Sequence, residues 1–210
     1  MPKKVLGVLV SGRGSNLQAI FDAISAGRLK AKIGVVISDN PQALALKRIE
    51  GFNIPTAVIE KKAYASKLQF EQAIVKELNL HHVDLVVLAG FMRILSPFVI
   101  QQFPGRIMNI HPSLLPSFPG LNPQQQALQH GVKVTGCTVH LVDEGTDSGP
   151  IILQEAVPVL DDDTPETLAG RILHVEHILY PRAVGLFCDD RITVEGRRVK
   201  IREAAEGGKL

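Results

Sequence analysis

Runs of β-branched and apolar residues alternate along this chain with longer segments of helical period, and this alternation narrows the possible folds more than any other feature. Parallel strands cannot be joined by tight turns and need crossovers of a dozen or more residues, usually helices, so the pattern specifies an α/β protein on a largely parallel sheet. Strands are predicted at Val5–Val10, Ile33–Ile37, Thr56–Ile59 and Leu85–Ala89. Between them, Asn16–Ala26 places Leu17, Ile20, Phe21 and Ile24 on one helical face, with Gly27 as its stop. A second helix is expected to open at the Asn40-Pro41 cap and end near Gly51. A third, Ser66–Leu78, carries Leu68, Phe70, Ile74, Val75 and Leu78. Right-handed crossovers make residues 1–100 a doubly wound, Rossmann-like half.

The second half reads differently. A short strand, Arg106–Ile110, runs into His111–Pro123, where four prolines in thirteen residues exclude a helix or a central strand. A short helix near Pro123–His130 precedes neighbouring strands at Thr135–Val142 and Ile151–Val159, joined by the turn Asp143–Gly149. A long helix starts at Thr164-Pro165-Glu166, Arg191–Ile201 forms a hairpin around Glu195-Gly196, and Glu203–Leu210 is a polar tail. The expected fold is a single-domain, doubly wound α/β sheet, mostly parallel, with a mixed C-terminal extension, divided as residues 1–100, 101–190 and 191–210.

Composition removes several function classes. With 45% hydrophobic and 21% charged residues the chain is neither disordered nor fibrous, and a net charge of +2 argues against a general nucleic-acid binder. Cys137 and Cys188 stand far apart without CxxC spacing, so neither a zinc site nor a disulfide framework is indicated. The apolar run Val5–Val10 breaks at Ser11-Gly12 and reads as a strand, not a signal peptide. The longest apolar stretch, Leu85–Met92, is far short of the ~20 residues of a membrane span. A cytoplasmic protein without membrane partners is expected.

Three segments carry chemistry. Ser11-Gly12-Arg13-Gly14-Ser15-Asn16 joins the first strand to the first helix, where free N–H groups and the helix dipole favour a phosphate. Leu17 stands where a dinucleotide fingerprint requires a third glycine, which weakens a nicotinamide reading, and Asp39 reads as a turn and cap more readily than as a ribose ligand. Asn109 and His111 alternate onto one side of a strand's carboxyl end, where an amide and an imidazole suit an oxyanion clamp or proton shuttle. Asp143, Glu144 and Asp147 sit in a turn that could supply a carboxylate to His111, although turns are ordinarily rich in Asp and Gly. Ser15 and Ser113 lie in no Gly-x-Ser-x-Gly elbow, and His174, Glu176 and His177 match no zincin spacing and read as a solvated helix face.

Taken together with Ala89-Gly90-Phe91-Met92-Arg93-Ile94-Leu95 and Asp147-Ser148-Gly149-Pro150, these segments resemble the phosphoribosylglycinamide formyltransferase family, the folate-dependent transformylases of purine synthesis. The resemblance runs from Val5 to about Phe187. It implies a ribonucleotide phosphate on Gly14, Ser15 and Asn16, with Glu176 at the ribose. It places the folate pocket at Met92, Arg93, Ile94 and Leu95, with Lys67 where relatives often carry a folate-binding arginine. Asn109 and His111 would meet the formyl group, and Asp147 would pair with the histidine. Residues 1–100 become the ribonucleotide-phosphate half and 101–190 the catalytic and folate half. 10-Formyltetrahydrofolate is implied as a consumed cosubstrate, glycinamide ribonucleotide as the acceptor, with no metal or tightly bound cofactor, in a monomer or homodimer. Asn122 and Gln124 follow Pro119-Gly120 where relatives often have a histidine, and Lys67 offers a point charge in place of a planar fork.

Two other readings share parts of this pattern. Formyl-tetrahydrofolate hydrolases and methionyl-tRNA formyltransferases resemble the same core but usually carry an added domain, before it or after it. A nucleotide-binding regulatory module would use Ser11–Asn16 and leave Asn109, His111 and Asp147 without a role.

Overall fold

The computed structural model describes residues 2–203; the polar tail expected at Glu203–Leu210 lies, beyond Glu203, outside the described residues. The chain runs β1 (Lys4–Val10), α1 (Ser15–Ser25), β2 (Ala31–Ser38), α2 (Leu44–Arg48), β3 (Thr56–Val58), α3 (Lys67–Leu80), β4 (Leu85–Leu88), α4 (Pro97–Gln102) and β5 (Ile107–His111). It continues through α5 (Pro123–Gln129), β6 (Val134–Leu141), β7 (Ile151–Pro158), α6 (Pro165–Cys188), β8 (Ile192–Glu195) and β9 (Arg198–Ile201). One seven-stranded sheet has the order β3-β2-β1-β4-β5-β6-β7, and β8 and β9 form a separate hairpin. The first five strands are parallel; β6 and β7 join antiparallel. The expected α/β class and mixed extension are both present.

Each face of the sheet has its own core, as the period-2 alternation of strands requires. Leu6, Val8 and Val10 of β1 pack with Leu17 and Ile20 of α1 and with Ile172, Leu179 and Val184 of α6. Leu9 points the other way, to Phe70, Ile74 and Leu78 of α3 and Val99 of α4. Tyr180 of α6 is fully buried, and its hydroxyl lies 2.9 Å from the carbonyls of both Leu88 and Met108, its single proton shared between neighbouring strands β4 and β5.

Helix ends follow local chemistry. Ser66 caps α3 by accepting the Gln69 N–H at 3.1 Å, and Thr164 and Thr167 cap α6 reciprocally ahead of Pro165. The second helix begins at Leu44, not at the expected Asn40-Pro41. Asn40 instead closes a turn by accepting the Gln42 N–H at 2.9 Å, and its amide donates to the Ser11 carbonyl at 3.2 Å. These two bonds spend the asparagine on joining two loops. Helix α4, for which no element is expected from the sequence, starts at Pro97 directly after Ser96.

Because β1 is flanked by β2 on one side and β4 on the other, chain direction reverses its course across the sheet at this point. Open α/β sheets leave a crevice at the carboxyl ends of strands there. The loops after β1 and β4 and the end of β5 all open into it.

Candidate active site

Asn109 and His111 lie two residues apart on β5 and both face a cavity of about 430 Å³ at the carboxyl end of the sheet. His111 is buried, with Nε2 2.8 Å from the Phe118 carbonyl oxygen and Nδ1 3.3 Å from Oδ2 of Asp147. A carbonyl oxygen only accepts, so Nε2 carries a hydrogen, and the other ring nitrogen is turned to the carboxylate. Asp147 is held for this contact: its backbone is left-handed, φ 51°, and the same Oδ2 accepts the Gly120 N–H at 2.8 Å. The proline-rich loop that supplies Phe118 is stitched to the sheet by side chains. Thr138 of β6 donates to the Ser113 carbonyl and accepts the Leu115 N–H, and Gln154 of β7 donates to the Leu115 carbonyl at 2.8 Å.

The structure adds His140 to this set. It stands opposite Asn109 in the β5–β6 pairing. Its Nδ1 faces the Leu141 carbonyl at 2.9 Å and therefore bears the hydrogen, while burial pushes its pKa below that of an ordinary histidine. The neutral ring leaves Nε2 as an acceptor, and the Asn109 amide donates to it at 3.3 Å. One amide hydrogen of Asn109 is thereby fixed and the other is free to point into the cavity. Oδ1 of Asp147 is 3.8 Å from the same Nε2, beyond hydrogen-bond range.

A second cavity, about 240 Å³, is lined by Ser11–Asn16 together with Ala89, Gly90 and Met92. Gly14 sits at the start of α1 with φ 69°, and no side chain caps the helix, so its first N–H groups are open to an anion. A Cβ at Gly14 would fall 2.5 Å from the Ala45 Cβ and 2.6 Å from its Cα, so this loop conformation requires glycine. Gly90 and Met92 line both cavities.

Residues 3–184 match the sequence profile of the family described as Formyl transferase. The chain belongs to the formyl transferase family. A phosphoribosylglycinamide formyltransferase of Bacillus subtilis (strain 168) is 46% identical over 181 residues, which cover 86% of this chain and 93% of that protein. Among solved structures, glycinamide ribonucleotide transformylase 1 from Symbiobacterium toebii superposes with a TM-score of 0.94 at 51% identity, covering 96% of this chain and 95% of that one. A formyltetrahydrofolate deformylase from Pseudomonas syringae pv. tomato shares the fold at TM-score 0.90 and 29% identity, with 96% of this chain and 66% of that chain covered.

Within this formyl transferase, the residues singled out in the sequence separate into three groups. Met92, Arg93, Ile94 and Leu95 line the larger cavity together with Asn109, His111 and Asp147, and Gly14, Ser15 and Asn16 line the smaller one. Lys67 lines neither cavity; it opens α3 with Nζ 3.8 Å from Glu71. Glu176 corrects the reading of its helix face as solvated: it is buried and accepts the Asn16 amide at 2.8 Å, and burial raises its pKa to about 7 against that hydrogen bond. Asp39, which reads in the sequence as a turn and cap, is the ion partner of Arg93, at 2.5 Å. Asp143 staples its own turn, accepting from Gly145 N–H and, at 2.6 Å, from the Ser148 hydroxyl. Ser113 donates to the Ser117 carbonyl and is fully buried, which leaves no nucleophile there.

Cys137 and Cys188 are free thiols that burial pushes up to about 12, so both are packing groups. Among the described residues no three His, Cys, Asp or Glu side chains group as a metal site would need, and no helix is long and apolar enough to cross a membrane.

Proposed function

We infer that this enzyme moves the formyl group of 10-formyltetrahydrofolate onto the amine of 5'-phosphoribosylglycinamide, a step of purine synthesis. The observation that carries the reading is the junction of two cavities at Gly90 and Met92, one ending on Asn109, His111 and Asp147, the other on the uncapped start of α1. The ribonucleotide phosphate takes the N–H groups of Gly14, Ser15 and Asn16, and its ribose reaches Glu176. The reduced folate lies along Met92–Leu95, and its formyl group meets Asn109 and His111. Lys67 stays at the rim of the protein as a cation for the folate's acidic tail.

The amine lone pair attacks the formyl carbon and forms a C–N bond, moving negative charge onto the formyl oxygen. The free amide hydrogen of Asn109 and the His111 ring beside it stabilise that oxygen. The ammonium formed by attack loses its proton to Asp147 through a water, and N10 of the folate takes a proton as its bond to carbon breaks. No covalent enzyme intermediate is needed. Both substrates are small molecules, and the reduced thiols fit a cytoplasmic setting.

A deformylase would put water where the amine stands. Incubation with 10-formyltetrahydrofolate, with and without glycinamide ribonucleotide, separates the two: tetrahydrofolate should appear only with the ribonucleotide, one per formylated product. Release without it would make the protein a hydrolase, and no release in either case would make it a binding module.

A further inference from the structure

Two carboxylates outside the reaction cluster, the buried Glu71 and Asp39, whose side chain is 7% exposed, come from different elements and face the same segment, residues 90–96. Asp39 follows β2 and receives the Arg93 Nε–H at 2.5 Å, with the guanidinium 5.7 Å from the centre of the Phe70 ring. Glu71 of α3, only 1% exposed, accepts the Ser96 N–H at 2.8 Å on one oxygen and the Ser96 hydroxyl on the other. The segment between has no regular secondary structure. Phe91 and Leu95 plug into the core beside α3, which throws Met92 and Ile94 outward, 73% and 67% exposed, at the cavity lip.

The arrangement is more than packing. Oδ1 of Asp39 is buried with no hydrogen-bond partner among the described residues, which is destabilising in itself. An apolar residue would serve the strand end better, so the value of the carboxylate lies in the arginine it holds. Glu71 likewise occupies a core-facing position of α3 that a hydrophobic residue could fill, and spends its charge on Ser96 and, at 3.8 Å, Lys67. A loop held at its middle and its end loses little freedom when a ligand settles on it, which raises affinity without a new contact.

We propose that Asp39 and Glu71 are positioning residues for the formyl donor, clamping residues 90–96 so that Met92 and Ile94 form a ready-made apolar wall for the folate ring. The inference rests on the reading of the larger cavity as the donor site. Asp39→Asn and Glu71→Gln keep shape and remove charge. In steady-state kinetics the KM for 10-formyltetrahydrofolate should rise at least ~10-fold, as loss of a charge-assisted hydrogen bond implies. The Kd for tetrahydrofolate by titration calorimetry should rise in parallel, while the ribonucleotide KM and the kcat at saturating donor stay close to the parent values. Ser96→Ala removes only the hydroxyl bond and should give a smaller rise of the same kind; it serves if a carboxylate variant fails to fold in circular dichroism. Ile94→Asp, which puts a charge on the wall itself, should abolish tetrahydrofolate binding. If Ile94→Asp does so while Asp39→Asn, Glu71→Gln and Ser96→Ala leave donor affinity unchanged, or weaken both substrates equally, the clamp is wrong and the site reading stands. If Ile94→Asp leaves tetrahydrofolate affinity intact, the donor-site reading fails and the clamp falls with it.

Discussion

Glu176→Gln should make the protein more stable at neutral and alkaline pH while impairing it as an enzyme. The carboxyl group is buried on α6, and burial raises its pKa from 4.5 to about 7 despite the Asn16 hydrogen bond that opposes the shift. Below about 4.5 both folded and unfolded chains carry it protonated, so it imposes no pH dependence there. As pH climbs toward 7 the unfolded chain releases this proton and the folded chain retains it, so stability falls with rising pH. Above 7 the folded chain too is ionised, and the full penalty is present. At ~1.4 kcal/mol per pH unit, the gap between the two pKa values amounts to about 3 kcal/mol. Glutamine keeps an oxygen for the Asn16 amide and never ionises. Urea unfolding of both proteins from pH 5 to pH 8 should therefore show the variant gaining about 2–3 kcal/mol on the parent across that range, since the penalty is only partly developed at pH 5. Any constant packing difference cancels in the slope. Over the same range the variant should bind glycinamide ribonucleotide more weakly, if the carboxylate reaches the ribose. Parallel stability curves would refute the argument that this carboxyl group is strained by its burial.

Further outcomes follow from the same geometry. Ser15→Asp should weaken ribonucleotide binding far more than folate binding in titration calorimetry, because a new carboxylate repels the phosphate and competes for the open N–H groups of α1; equal losses would place the phosphate elsewhere. Gly14→Ala should lower the melting temperature and the ribonucleotide affinity together, since its Cβ would meet the Ala45 backbone at 2.6 Å; a variant with parental values of both would show the loop to be more pliable than its packing implies. Asn109→Ala should cost roughly 2.7–4 kcal/mol of transition-state stabilisation, read from kcat/KM, with ligand binding affected less. A collapse of folate affinity at near-normal rate would make Asn109 a ground-state contact.

The fold class was legible because strand and helix periods differ and each burial pattern repeats over several residues. Val5–Val10 and the Leu17/Ile20 stripe are such signals, and Asn109 and His111 share a side of β5 through the same alternation. The start of α2 was misread because Asn40 is a good cap in isolation, and only the fold brings the Ser11 carbonyl within its reach. The same blindness to distance hid the Arg93–Asp39 pair, 54 positions apart, and the Tyr180 hydroxyl, 92 positions from Leu88. His140, Glu71 and Glu176 did leave a trace. Glu71 keeps step with Val75 and Leu78, and Glu176 with Ile172, Leu179 and Ala183, so each is an acid on an apolar face. His140 shares a side of β6 with Thr138 in the same way. A polar residue in the buried phase of an element is a better guide to a site than a polar residue in a turn. Asp147 was the exception, legible through the resemblance of its motif and not through its turn, where Asp143 and Glu144 looked equally eligible.

The central claim is that formyl transfer takes place at Asn109, His111 and Asp147, and a single-turnover measurement on Asp147→Asn tests it most directly. The substitution keeps size and turn tendency, and its side-chain oxygen can still accept the Gly120 N–H, but it withdraws the negative charge facing His111 and the capacity to take a proton. With both substrates bound at saturation, the rate of formyl transfer should fall at least ~100-fold while the affinities for ribonucleotide and folate change little. A rate near that of the parent enzyme would contradict the account, because the carboxylate beside His111 would then be a turn residue and the chemistry would belong elsewhere.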